Sequence, residues 1–365
     1  VSTNDGKSWK PLQINLPNVP VTDMAVREEQ LAVATQGRGY WMFDDLALLR
    51  QAGQDTLREA THLFRPAPVL RLQGRTAENP VHQGRNPASR AILHYWLPSD
   101  LPQDIAFELL IQDSKGDTIR RYTRKPPKDD DSKPEGADDD RLLTTETGLN
   151  RLEWNLRYPS VKRFEKLVLW NDYLDGPRAI PGVYKATLTA GDTSQTVDIE
   201  VRQDPRSQAA AEDLQQQFDF AWSINRKLTE THEAIKRLRK ARGKVASIKA
   251  RVEDKDEYAE LAASAEALEE KLDAVEKALY QTRLEARQDP LNFPIRLNDK
   301  LAGVMLASTI GDHPPTASAI AVRDQLFAAI DTQLAALDQA LGQDLDRFNA
   351  QVAGMKLPAV EVGEE

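Results

Sequence analysis

The chain has 365 residues, and at roughly 150 residues per domain that length predicts two to three domains with more than one core. Its 48 Lys and Arg against 57 Asp and Glu give a net charge of −9 with no large basic block, which disfavours nucleic-acid binding. No stretch approaches the roughly 20 apolar residues of a membrane helix, the start at Val1-Ser2-Thr3-Asn4-Asp5-Gly6 reads as no signal peptide, and zero cysteines exclude disulfides, thiolate metal sites and cysteine nucleophiles.

Residues 1–65 read as short strands with turn signals: Ser8 to Leu12, Val21 to Val26, Gln30 to Thr35 and Gly39 to Phe43. The run Leu31-Ala32-Val33-Ala34-Thr35 is nearly all apolar or β-prone, the pattern of a strand buried on both faces. Residues 66–205 form a second β region. One hairpin joins Ile105–Gln112 to Thr118–Thr123 through Asp113-Ser114-Lys115-Gly116-Asp117. Another joins Gly182–Thr189 to Thr196–Arg202 through Ala190-Gly191-Asp192. Its arms alternate Tyr184, Ala186, Leu188 and Val197, Ile199, Val201, so each should bury one face against a second sheet.

From Asp204-Pro205 the pattern turns helical, and residues 206–365 carry three long apolar stripes. Leu214, Phe218, Ala221, Asn225, Leu228, His232, Ile235 and Leu238 form the first; Leu261, Ala265, Leu268, Leu272, Val275 and Leu279 the second. The third, from Ile330 to Val352, follows Pro314-Pro315-Thr316, and a short helix from about Ile295 to Ile310 precedes it. Stripes this narrow must pack on one another, which predicts an antiparallel helical bundle.

The segment Lys125–Asp140 holds two Asp blocks among three prolines. It lacks the alternating ligands and terminal Glu of a calcium loop and reads as a solvated segment. Five scattered histidines leave little material for a metal centre, and His232 falls on an apolar stripe, where a packed, hydrogen-bonded imidazole is expected. Ser2, Ser8 and Ser89 lack the Gly-x-Ser-x-Gly setting of a hydrolase nucleophile. No cofactor and no metal site is implied.

Ser2-Thr3-Asn4-Asp5-Gly6-Lys7-Ser8-Trp9 fits the Asp-box pattern Ser-x-Asp-x-Gly-x-Thr-Trp, with Asn4 and Ser8 as conservative departures. In such a box a short polar side chain folds back on the turn, Gly supplies a positive φ and the aromatic packs under the hairpin. The following Val21-Thr22-Asp23-Met24-Ala25-Val26, Gly37-Arg38-Gly39-Tyr40-Trp41-Met42-Phe43-Asp44-Asp45, Gly84-Arg85-Asn86-Pro87, Leu152-Glu153-Trp154-Asn155-Leu156-Arg157-Tyr158-Pro159, Pro181-Gly182-Val183-Tyr184 and Asp204-Pro205-Arg206 continue the likeness. Together they resemble the carboxy-terminal part of large bacterial BNR/Asp-box repeat β-propeller proteins of the glycosyl hydrolase or sortilin-like kind. The middle region also resembles immunoglobulin-like modules of the flagellar hook-capping type.

The resemblance implies a multidomain β plus α chain: last strands of an incomplete propeller in 1–65, an Ig-like β-sandwich in 66–205 and a helical bundle in 206–365. A propeller needs about four to eight blades of four strands, so residues 1–65 are expected to depend on the missing amino-terminal propeller portion of the same protein, or on a second copy paired through open strands. It further implies an extracytoplasmic location and a non-catalytic structural or interaction role. The alternatives are a glycoside hydrolase whose active site lies mainly in the missing propeller, and a peptide-binding propeller. In the enzyme reading Asp23, on the innermost predicted strand, and Arg38, between two glycines, are the site candidates. Asp44 and Asp45 are strand neighbours facing opposite ways and cannot form an acid/base pair with each other. Trp170, in a loop, is the candidate for stacking on a ligand.

Overall fold

The computed structural model describes residues 1–2, 4–12, 14–52, 60–72, 89–102, 104–124 and 142–355. The acidic segment 125–140, His82 and the run at 84–87 lie outside the described residues. The chain is β plus α and divides into two compact units. One comprises Val1–Pro159 with Arg178–Gln208, the other Ser160–Pro177 with Ala209–Glu365.

In the first unit, β1 (Val21–Arg27), β2 (Gln30–Thr35) and β3 (Tyr40–Phe43) make an antiparallel sheet in that order. The predicted strand at Ser8–Leu12 does not form. Nor is β2 covered on both faces: of its residues only Val33 is buried, and every residue of β1 is exposed. An apolar strand run states what a strand can bury; whether a covering layer exists is decided elsewhere in the structure. Asp45 caps the short helix α1 (Leu46–Ala52), its Oδ1 accepting the Leu48 N–H at 3.1 Å.

The remaining strands form two sheets over a shared core. The three-stranded sheet runs β10 (Gly148–Trp154), β6 (Ala91–Leu97), β4 (His62–Leu63). The six-stranded sheet runs β5 (Val69–Arg71), β12 (Thr193–Gln203), β11 (Gly182–Ala190), β7 (Phe107–Gln112), β8 (Thr118–Arg124), β9 (Leu142–Leu143). Leu93, Tyr95 and Leu97 alternate inward on β6, Leu109 and Ile111 on β7, and Tyr184, Ala186 and Leu188 on β11. Both expected hairpins form; Tyr184 pairs with Ile199 and Ala186 with Val197. Each such leucine or isoleucine contributes about 1.5–3 kcal/mol by leaving water. Trp154 lies in this core, edge-on to Tyr184 at 5.2 Å, with its indole N–H on the Arg157 carbonyl at 3.0 Å.

The second unit is built on α2 (Ala211–Val252), α3 (Ala259–Leu279), α4 (Leu297–Ser308), α5 (Ala317–Gln339) and α6 (Leu345–Gly354). Acidic Glu212 and Asp213 open α2, favourable at a helix amino terminus, and Thr316 caps α5 by accepting the Ala319 N–H. The stripe from Ile330 to Val352 is not one uninterrupted helix: a π-helical turn at Ala340–Asp344 separates α5 from α6 and sets Asp344 against Lys271 at 2.7 Å.

Ser160–Pro177 is a strap without regular structure. Although it falls inside the 66–205 span, its Val161, Phe164, Leu167, Leu169 and Leu174 are part of the helical unit's core. The Val161 N–H on the Leu174 carbonyl at 2.9 Å ties the two ends of the strap together.

Candidate functional site

Residues 2–9 form a turn fastened by its own side chains. The Ser2 hydroxyl accepts the Gly6 N–H at 2.8 Å, the Asn4 carbonyl oxygen Oδ1 accepts the Ser8 N–H at 2.9 Å, and the Asn4 amide donates to the Ser8 hydroxyl at 2.9 Å. Asp5 and Gly6 take positive φ values of 55° and 81°, which Asp tolerates and Gly adopts freely. The Trp9 ring lies 3.9 Å from where a Gly6 Cβ would stand, yet Trp9 stays 72 % exposed. Asn4, in the place of the pattern's Asp, thus serves the fold of the turn.

Asp23 stands on the exposed strand β1, beside a register shift, and its Oδ1 accepts the N–H of its neighbour Met24 at 2.8 Å. Arg38 lies in the tight turn between β2 and β3, flanked by Gly37 and Gly39 at φ 80° and 71°; its carbonyl receives the Trp41 indole N–H at 3.1 Å. Among the described residues no hydrogen bond or ion pair joins Asp23 to Arg38 or to a second acid. Asp44 and Asp45 diverge: Asp44 accepts from the Gln30 side chain at 3.0 Å, while Asp45 turns to α1 and to His94. Among the described residues no group of three or more His, Asp or Glu is placed to hold a metal ion.

Two arrangements of ionisable groups were not visible as motifs. His94 Nδ1 lies 3.2 Å from Asp45 Oδ2. Burial lowers the His94 pKa, with the Asp45 carboxylate pulling it back up and Arg151 pushing down. This joins a residue of β6 to the cap of α1, residues far apart in the sequence.

The other is in the helical unit. Asp299 on α4 receives the strap: the Trp170 N–H at 2.8 Å, the Asn171 N–H at 2.9 Å and the Asn171 side-chain amide at 3.0 Å. Trp170 as a whole is 42 % exposed. Next to Asp299, the Asn298 amide meets His232 Nε2 at 3.3 Å, and His232 Nδ1 meets the Lys162 carbonyl at 2.7 Å. The nearby Glu276 carboxylate takes Arg239 and Arg242 at 2.6 Å each, and Arg239 also stacks on Phe164. His232 therefore has hydrogen-bonding partners on both ring nitrogens, both supplied by the strap and α4.

An open groove of about 340 Å³ lies among Glu29, Arg50, Gln51, Arg65, Asp198 and Glu200. Its charges are largely consumed in pairs, Arg50 on Glu29 at 2.6 Å and Glu200 on Arg202 at 2.8 Å, and Gln51 exchanges two hydrogen bonds with the Arg65 backbone. Such exposed pairing takes up the charges of Glu29, Arg50 and Glu200.

No protein-family profile matches this chain, and no curated protein matches it either. Among solved structures it is similar to a Salmonella alpha-2-macroglobulin mutant, at 16 % identity and a TM-score of 0.22. That likeness covers 50 % of this chain and 9 % of the other, so the chain spans under a tenth of that protein's length.

Proposed function

We propose that this chain is a non-catalytic structural and interaction region of a larger extracytoplasmic Asp-box propeller protein. In this reading β1–β3 are blade strands, the two sheets over their common core are an Ig-like sandwich, and α2–α6 are a helical bundle. The partner is further propeller structure of the same protein, or a second copy paired strand to strand.

One observation carries the reading: the sheet β1–β3 is left open. Met24 and Val26 on β1 and Tyr40 and Met42 on β3 are all more than half exposed, Tyr40 at 85 %. Among the described residues neither β1 nor β3 has a strand on its outer side. Unpaired N–H and C=O groups beside apolar side chains favour addition of another strand. The side-chain-fastened turn at Ser2 to Trp9 supports the Asp-box part of the reading. Asp23, its carboxylate taken by its own neighbour's N–H, supports the non-catalytic part.

Light scattering and hydrogen exchange on the whole chain test this. The expected result is self-association that Met24→Lys with Met42→Lys abolishes, and rapid exchange of the outer β1 and β3 amides in the dissociated chain. A monomer with residues 21–43 strongly protected would overturn it. Turnover of an aryl glycoside that Asp23→Ala abolishes would overturn the non-catalytic reading.

A further inference from the structure

The hydrogen bonds around His232 permit one protonation state only. A backbone carbonyl can only accept, so the ring nitrogen 2.7 Å from the Lys162 carbonyl, Nδ1, carries the hydrogen. In the neutral ring Nε2 is then bare and accepts the Asn298 amide N–H at 3.3 Å. That fixes the Asn298 side chain, whose oxygen accepts the Asp299 backbone N–H at 2.8 Å. Asp299 in turn holds the strap at Trp170 and Asn171. His232 and Asn298 are 0 % exposed and Asp299 1 %.

A proton on Nε2 breaks this chain whichever way Asn298 turns. Left in place, its NH2 faces an N–H. Rotated by half a turn, it offers His232 an oxygen but sets its NH2 against the Asp299 N–H. A buried donor facing a donor has no water to relieve it. We propose that His232 is an acid-operated latch: protonated at Nε2, it disrupts the hydrogen bonds through Asn298 to Asp299 and releases the strap, residues 161–174, from the helical core.

The charges around the ring do not favour its protonated form enough to prevent this. On the strap, Arg163 opposes the proton, while Lys162 occupies Glu233, the one acid of α2 that favours it, at 3.9 Å. On the far face of Phe164, which meets the ring edge-on at 5.1 Å, Arg239 is held by Glu276 of α3. On α4 the Asp299 carboxylate is already taken by N–H groups of the strap. Desolvation by burial is the largest influence and lowers the His232 pKa to about 4. A histidine whose docked pKa lies below its released value of about 6.5 stabilises docking above that value and loses the stabilisation as pH falls. Between pH 7.5 and pH 5, release becomes more favourable by about 30-fold. At pH 5 ordinary carboxylates remain largely ionised, so the change is the histidine's.

Hydrogen exchange with mass spectrometry on the whole chain, corrected for intrinsic rates, tests the latch. Protection over residues 161–174 should fall about 30-fold from pH 7.5 to pH 5, with strands β7 and β11, which carry no histidine, unchanged as the internal reference. In His232→Gln, which cannot titrate, the fall should vanish even though baseline protection is lower. In Asn298→Asp the carboxylate receives the imidazolium, and protection at pH 5 should be retained. Unchanged protection in the natural chain, or the same fall in His232→Gln, overturns the proposal.

Discussion

Asp299 holds Asn171 twice, accepting its backbone N–H at 2.9 Å and its side-chain amide at 3.0 Å across 128 residues of sequence. A buried carboxylate that satisfies several N–H donors at once leaves all of them orphaned when it is removed, and the cost is that of desolvated, unpaired groups. Asp299→Ala should therefore destabilise the helical unit by about 3 kcal/mol or more. Denaturant unfolding followed at the helical signal measures it; a loss under about 1 kcal/mol would show that the strap is held by apolar burial alone.

The strap also decides where the chain can be cut. A fragment comprising 206–365 lacks Val161, Phe164, Leu167, Leu169 and Leu174, all members of its core. At about 1.5–3 kcal/mol per buried side chain, their loss is comparable to the whole stability of an ordinary domain. The fragment should be helical by far-ultraviolet dichroism but without fixed packing, and a peptide of residues 160–177 added in trans should restore near-ultraviolet signal. A natively packed 206–365 would show that the gap closes unaided.

Leu156 and Lys166 share a left-handed backbone at φ 55° and 59°, which costs a side-chain-bearing residue about 1–2 kcal/mol. Glycine relieves that strain at both positions with opposite outcomes. Lys166 is exposed, so Lys166→Gly should be neutral or stabilise by up to about 1 kcal/mol. Leu156 is fully buried in the β core, so Leu156→Gly should destabilise by about 2–3 kcal/mol, lost packing outweighing relieved strain. Melting curves of the two variants decide the signs.

Asp45→Asn keeps a capping oxygen for the Leu48 N–H but removes the charge beside His94. Because that charge raises the His94 pKa against burial, the variant should titrate His94 at lower pH, with α1 preserved. Asp45→Ala should lower the His94 titration as well and in addition cost about 1 kcal/mol of cap. Nuclear magnetic resonance of the His94 ring protons reads the shift; no movement in either variant would place the pair apart in solution.

Much of the fold could be read from periodicity. Strand β7 and the hairpin at Gly182–Gln203 alternate because each buries one face, and Leu261 to Leu279 recur at helical spacing because α3 buries one stripe. His232 was readable as a packed residue from its place on the α2 stripe. What escaped had no period. The strap is irregular, so its apolar residues form no pattern and its attachment to the helical core could not be inferred. The Asp45–His94 and Asn171–Asp299 contacts join residues with nothing local in common. Conversely, the apolar run of β2 suggested burial that its surroundings among the described residues do not provide, only Val33 being buried.

The place of the strap in the chain order has a consequence for biosynthesis. Its anchor on α4 leaves the ribosome more than a hundred residues after the strap itself, with β11, β12, α2 and α3 emerging in between. Contacts of such long sequence separation close slowly, since the intervening chain must be gathered first. For that interval Val161, Phe164, Leu167, Leu169 and Leu174 have no finished core to enter, and a nascent chain stalled before Asp299 would present them to chaperones as an unfolded segment between two already synthesised stretches of β structure.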